Sequence, residues 1–249
     1  IKEIIENENL KLANSYCLPN AIEIGMDFGT LVGHTPLNQI LTDNSCADQA
    51  FFCNSGAEAI ETAIKITRKY FASQNKAHKN EIITFADAFH GRTIACISAA
   101  GNTKYQQGYE PLLPGFSYLE KDKIDIATIK KKITKNTAAI MLEPIQGEGG
   151  INVFSNKFLK DLEKLCREKK ILLIVDEVQC GTGRTGKLFH HQFAGIKPDI
   201  IAVAKGIGGG FPLAATLTKA EIGNIMTPGS HGGTYGGNPL AMAAGNAVL

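Results

Sequence analysis

The chain predicts an α/β fold, with a mainly parallel central sheet flanked by helices. Three observations carry that expectation. From about residue 50 onward, short apolar runs of strand length alternate with segments whose apolar residues recur at helical spacing. The runs look buried, as strands do when helices cover both faces of a parallel sheet. Polar and glycine-rich clusters follow them, at residues 54–56, 143–150, 176–181 and 205–210. Ligands of such sheets sit at the carboxyl ends of strands.

Residues 1–49 are polar, carry Pro19, Pro36 and scattered glycines, and show little sustained periodicity. Residues 50–53 read as a short strand. Ile60, Ala63, Ile64, Thr67 and Phe71 then recur at helical spacing. Runs at 81–85, 94–98 and 138–142 read as strands. Phe158, Leu159, Leu162, Leu165 and Cys166 mark an amphipathic helix leading into a strand at 171–175. Strands at 200–204 and 213–217 complete the set.

With 249 residues, 44% of them hydrophobic and 20% charged, the chain can bury a large core. A net charge of +2 gives no reason to expect a nucleic-acid partner. Lysines 121, 123, 130, 131, 132 and 135 cluster locally and read as a solvated helix face, with a phosphate-binding patch as the alternative. No apolar stretch approaches the ~20 residues that span a membrane. Residue 1 is isoleucine, so the natural first residue is expected upstream. The six cysteines include no C-x-x-C and the six histidines no H-E-x-x-H, which points away from a metal site. Reduced thiols of a cytoplasmic protein are the expectation.

Lys205 stands out. It follows an apolar run and precedes Gly206, Gly208, Gly209 and Gly210. Dry walls around a lysine disfavour its ammonium form, which makes it a candidate amine nucleophile. Asp176 ends a second apolar strand. A lysine and an aspartate at neighbouring strand ends are the pair a pyridoxal phosphate site requires, one for the Schiff base and one for the protonated pyridine nitrogen.

Other motifs carry two readings each. Asn54, Ser55, Gly56 and Ala57 open a helix after a strand and form either a phosphate cradle or an ordinary N-cap. Phe89 could stack on a flat ring and Arg92 could clamp a carboxylate, or both belong to a plain loop. Residues 143–150, with Glu143, Gln146 and Glu148, form a pocket wall or a connection. Residues 181–188 nearly match the P-loop pattern, and with Asp176 and Glu177 they suggest a nucleoside triphosphatase. Leu188 lacks the hydroxyl that would hold magnesium, and the run lies downstream of the acidic strand. Residues 231–239 are a flexible loop, or one brought close to phosphate by its glycines.

Taken together, the segments FFCNSGAEAIE, FHGRT, EPIQGEGG, IVDEVQCGTGRTGKLF, PDIIAVAKGIGGGFPLAA and HGGTYGGNPLA resemble class III aminotransferases of the fold-type I pyridoxal phosphate enzymes. The resemblance covers residues 43–249 and makes them the cofactor-binding large domain; residues 1–42 read as an incomplete N-terminal segment. Within the class, Cys180 and the run at 103–116 favour the acetylornithine subgroup. The resemblance also claims GTGRTGK as part of the family pattern. It implies that Lys205 holds the cofactor and shuttles a proton, Asp176 pairs with the pyridine nitrogen, and Gln179 meets the ring's 3-oxygen. Ser55, Gly56 and Ala57 would bind the phosphate and Phe89 would stack on the ring. Arg92 would bind a substrate carboxylate, and Glu148 would tune the pocket between amine donor and 2-oxoglutarate. Thr234 would reach the phosphate of a neighbouring copy, implying a homodimer. The reaction implied moves an amino group from N-acetylornithine to 2-oxoglutarate. Transamination of succinyldiaminopimelate is the alternative. The resemblance also leads one to expect a smaller carboxy-terminal domain, absent from this chain. A shortened, inactive remnant of the fold is therefore a further alternative.

Overall fold

The computed structural model describes residues 36–120 and 123–249. Expectations placed on residues 1–35 and on Lys121 lie outside them. Helix α1 (Pro36–Asp43) precedes strand β1 (Gln49–Cys53), and helix α2 (Gly56–Ser73) then crosses the sheet to β2 (Glu81–Phe85). Helices α3 (Ile94–Ala100) and α4 (Thr103–Gln106) lead to β3 (Phe116–Leu119), followed by α5 (Ile126–Lys132) and β4 (Thr137–Leu142). A small hairpin, β5 (Ile145–Gln146) and β6 (Asn152–Val153), precedes α6 (Asn156–Lys169) and β7 (Leu172–Asp176). The chain continues through α7 (His191–Ala194), β8 (Ile200–Val203), a 3-10 turn at Lys205–Gly208, β9 (Ala214–Thr218), α8 (Ala220–Gly223) and α9 (Pro239–Val248).

Seven strands form one sheet in the order β1-β9-β8-β7-β4-β2-β3. Strands β3, β2, β4, β7 and β8 are mutually parallel, and β9 runs antiparallel to both its neighbours. The predicted α/β class and mainly parallel sheet are therefore what is observed.

Strand β4 shows why helices lie on both faces. All six of its residues are buried. Successive side chains point to opposite faces, so Ala139 and Met141 join the core under α2, while Ile140 and Leu142 join the core under α5 and α6. Helix α6 supplies that second core with Leu159, Leu162, Leu165 and Cys166, a stripe at helical spacing. Ser155 caps its start by accepting the Phe158 N–H at 3.1 Å. A third cluster joins Leu37 and Leu41 of α1 to Phe52, Val203 and Leu217.

One local expectation is corrected, one strand was missed, and the P-loop alternative already disfavoured is not what is found. Residues 94–98, expected as a strand, belong to helix α3. Residues 95–100 are all buried, so the helix shows no polar stripe and periodicity cannot separate it from a strand. Its start is set by Thr93, whose side chain accepts the Cys96 N–H at 3.4 Å. Strand β3 was not anticipated: it is a short edge strand, only its last residue fully buried. Finally, the GTGRTGK run is a series of turns leading to a four-residue helix, with no P-loop strand–loop–helix unit around it. Among the described lysines of the basic cluster, 123, 130, 131 and 135 are exposed, as a solvated face requires.

Candidate active site

A cavity of about 370 Å³ opens along the carboxyl edge of the sheet. Its walls come from the segments that follow β1 (Asn54 to Ala57), β2 (Phe89 to Gly91), β4 (Glu143) and β8 (Ala204, Lys205). Asp176, Val178 and Gln179 come from the end of β7, and Glu148 from the β5–β6 hairpin. Because β9 is antiparallel, its beginning lies at this same edge and adds Gly210 to Leu213.

The floor is acidic and buried. Asp176 is 2% exposed. Its Oδ2 is 2.8 Å from Nδ1 of His90, and its Oδ1 accepts the Val178 N–H at 3.0 Å. His90 is also buried, and its Nε2 has no hydrogen-bond partner among the described residues. Burial pushes the imidazole down, but the hydrogen bond and charge of Asp176, with the charge of Glu143, outweigh it and hold His90 above its ordinary range. Glu143 accepts the Phe89 N–H at 2.8 Å. Desolvation pushes its carboxyl up to about 7, against the lowering influence of His90. Sequence reasoning gave His90 no role and Glu143 only that of a pocket wall or a connection. The signal was present, since each lies within a motif already singled out, but only the fold shows that these strand-end residues surround Asp176.

Strands β7 and β8 are hydrogen-bonded neighbours, so Asp176 and Lys205 do emerge side by side. Lys205 opens the 3-10 turn with φ of 50°, a left-handed conformation rare outside glycine. The dry walls expected around it are not found. Lys205 is exposed, because the turn throws its side chain into the cleft rather than back against β8. Its Nζ donates to Oε1 of Gln179.

Across the cavity, α2 begins. Ser55 accepts the Glu58 N–H at 3.3 Å, while Glu58 Oε2 accepts the Asn54 N–H at 2.7 Å. This capping box leaves the N–H groups of Gly56 and Ala57 in the first turn, at the positive end of a long helix. The N-cap reading is thus observed, and it leaves these N–H groups facing the cavity's side of the helix start.

Ser55, Gly56, Ala57, Phe89, Glu148, Asp176, Gln179 and Lys205 are brought together around the cavity. Arg92 and Thr234 are not among its walls. Arg92 is exposed beside the rim, its Cζ lying 4.1 Å from the centre of the Tyr105 ring and 5.4 Å from that of Phe89. Thr234 is exposed, in a loop whose residues are not among the cavity's walls. In that loop, His231 Nε2 lies 2.8 Å from Thr62 Oγ1 and Nδ1 lies 2.8 Å from Lys65 Nζ. A side chain on Gly236 would come within 2.4 Å of the Phe52 carbonyl oxygen. The close approach its glycines allow is therefore to β1.

The family description "Aminotransferase class-III" matches residues 30–249, most of the chain. The chain belongs to the class III aminotransferases. Among the relatives of this class III aminotransferase chain, an acetylornithine aminotransferase of Mesorhizobium japonicum is 54% identical over 217 residues, covering 87% of this chain and 54% of the relative. A succinylornithine transaminase of Photorhabdus laumondii is 49% identical over 209 residues, covering 84% and 52%. Of solved structures, an ornithine aminotransferase of Toxoplasma gondii superposes with a TM-score of 0.82 at 32% identity, over 95% of this chain and 59% of that one. The chain thus spans about half the length of the curated relatives it matches. No helix among the described residues is long and apolar enough to cross a membrane.

Proposed function

We propose that this chain carries the pyridoxal phosphate site of an aminotransferase that takes the terminal amino group of N-acetylornithine and passes it to 2-oxoglutarate. The observation that carries the reading is the pairing of β7 with β8, which sets Asp176 and Lys205 side by side at one cavity facing the start of α2. The relatives' names support the acylornithine substrate class, and the Toxoplasma gondii structure contains pyridoxal phosphate at partial occupancy.

The residues present fit that cofactor. A phosphate needs N–H donors and a positive helix end, which Gly56 and Ala57 supply, with the Ser55 hydroxyl beside them. A pyridine ring needs a carboxylate for its nitrogen, and Asp176 is fixed in place by His90 and by the Val178 N–H. Phe89 and Val178 offer apolar surfaces to a flat ring. When bound, pyridoxal phosphate supplies an electron sink and a carrier for the amino group.

The chain's own residues do the rest. The His90 hydrogen bond and the Val178 N–H fix the orientation of the Asp176 side chain, so that it faces a ring nitrogen and favours a proton there. Lys205 Nζ, poised against Gln179, would take the proton from the amine-bearing carbon and deliver it to the cofactor's C4′ carbon. Glu148, at the exposed end of the hairpin, tunes the pocket's charge between amine donor and 2-oxo acid. Arg92 binds a substrate carboxylate from the rim by two hydrogen bonds. Thr234, exposed and not among the walls of its own cavity, would serve the phosphate of a second copy in a homodimer.

The test is the visible absorption spectrum of the purified chain with pyridoxal phosphate, beside Lys205→Ala. A band that requires Lys205 and is lost on adding N-acetylornithine is expected. Absence of any Lys205-dependent band refutes the cofactor reading; a band indifferent to the amine refutes the substrate reading.

A further inference from the structure

Arg92 makes no ion pair with any described carboxylate. Its guanidinium lies instead against two aromatic rings, Tyr105 at 4.1 Å and Phe89 at 5.4 Å. Those rings meet each other edge-on, with centroids 5.8 Å apart and planes at 86°. The three side chains form a closed cluster of one cation and two π faces. One member, Phe89, lines the cavity, and its backbone is fixed by Glu143.

Tyr105 is itself held. It lies on α4, whose start is capped by Asn102 accepting the Lys104 N–H at 3.0 Å. The next residue, Gln106, is buried and donates to the Ile97 carbonyl of α3 at 2.9 Å. Helix α3 begins two residues after Arg92. The platform and the arginine are therefore anchored to the same helix.

A guanidinium stacks through its faces and binds carboxylate through its edges. The two interactions do not compete. A ring that fixes the plane of the fork also fixes the directions in which its N–H groups point, and lowers the rotamer entropy lost when a carboxylate arrives. Lysine, a point charge without a plane, gains nothing comparable.

We propose that Tyr105 is a positioning residue: its ring orients Arg92 for bidentate recognition of a substrate carboxylate, and so contributes to selectivity for carboxylate-bearing amines and acids. The inference rests on the reading of Arg92 as the carboxylate-binding residue, and the experiment separates the two.

The measurement is calorimetric binding of glutarate, a non-reacting five-carbon dicarboxylate, and of glutaramide, its uncharged counterpart, to the full chain supplied with pyridoxal phosphate. The proteins are the unaltered chain, Tyr105→Phe, Tyr105→Leu, Tyr105→Gln and Arg92→Gln. Tyr105→Gln retains a half-buried polar side chain without a π face and stands in should Tyr105→Leu not fold. Tyr105→Leu and Tyr105→Gln should raise the glutarate Kd about fivefold, in the range of the entropy lost on immobilising one long side chain. Tyr105→Phe, which keeps the ring, should restore binding to within about twofold, because the face rather than the hydroxyl does the work. Glutaramide binding should be unchanged throughout, an outcome that general loosening of the site would not give. If Arg92→Gln weakens glutarate binding but both ring-deleting variants bind normally, the role of Tyr105 is overturned while that of Arg92 stands. If Arg92→Gln binds normally, or the unaltered chain does not bind glutarate, both are overturned.

Discussion

Glu177 follows Asp176 directly but serves a different end, and replacing it with glutamine tests what holds the cavity's outer loop. Its side chain is buried. Oε1 accepts the His191 N–H at 2.8 Å and faces His191 Nδ1 at 2.9 Å, while Oε2 accepts the His190 N–H at 2.9 Å and the Cys180 thiol at 3.1 Å. One carboxylate thus closes residues 178–191 onto the sheet. Burial pushes Glu177 up, but the hydrogen bond and charge of His191, with its backbone N–H and the Cys180 thiol, carry it below the ordinary carboxylate range. An amide can keep the bonds on the side of its oxygen; on the other side its NH2 meets donors. About two buried donors then lose their acceptor, at ~1–3 kcal/mol each. We expect Glu177→Gln to cost ~3 kcal/mol, which for a chain of this size lowers Tm by about 6–12 °C. Urea unfolding followed by far-ultraviolet circular dichroism gives the free energy; Asp161→Asn, whose partner Lys157 is 86% exposed, is the control and should change little. The sign with pH follows: a depressed folded pKa contributes stability above the unfolded value near 4.3 and loses it as pH falls through the folded one. A loss under ~1 kcal/mol, or one no larger than that of Asp161→Asn, refutes the reasoning.

The raised pKa of Glu143 acts in the opposite sense: stability is fully present below pH ~4.5 and falls as pH rises through about 7, with buried His90, raised above 6.5, adding to the fall. Glu143→Gln can still accept the Phe89 N–H and should flatten this slope between pH 5 and 8; an unchanged slope in urea midpoints sinks the assignment. Gly236→Ala places a methyl 2.4 Å from the Phe52 carbonyl oxygen, a backbone atom that cannot rotate aside, and should free the 231–238 loop at a cost of ~1–3 kcal/mol. Faster amide exchange there, with β7 and β8 unchanged, is the expected signature; unaltered exchange means the contact is dispensable.

Much of the fold was readable because its strands and long helices obey simple periods. Residues 138–142 and 200–203 are strands because nothing in them tolerates water, and α6 is a helix because its leucines recur every three or four positions. The failures have one cause. Residues 95–100 are as apolar as a strand, and only the Thr93 cap and left-handed Gly101 mark them as a helix. Strand β3 is half exposed and gains its identity from pairing with β2, a long-range partner. The site divides in the same way. Lys205 and Asp176 announce themselves by ending apolar runs. His90 and Glu143 look like loop residues until β2 and β4 are placed beside β7. The exposure of Lys205 could not be foreseen, because it follows from a single left-handed dihedral at the start of a turn.

The reversal of β9 explains why one cavity gathers so many segments. Five parallel strands would direct their carboxyl ends, and hence Phe89, Glu143, Asp176 and Lys205, to one edge in any case. A continued parallel run would take the chain after Lys205 away from that edge through a crossover helix. Instead, the 3-10 turn and its glycines send the chain straight back, and β9 pairs antiparallel between β8 and β1. Residues 210–213 therefore remain at the cavity as its wall, and β1 is set two places from β8, across from Lys205. The start of α2 is positioned by β1, so the distance between that helix end and the lysine is fixed by the width of one inserted strand, ~4.8 Å for each of two spacings. The glycines after Lys205 serve this geometry first. They allow the turn that admits β9, and any contact with a ligand is a consequence of it.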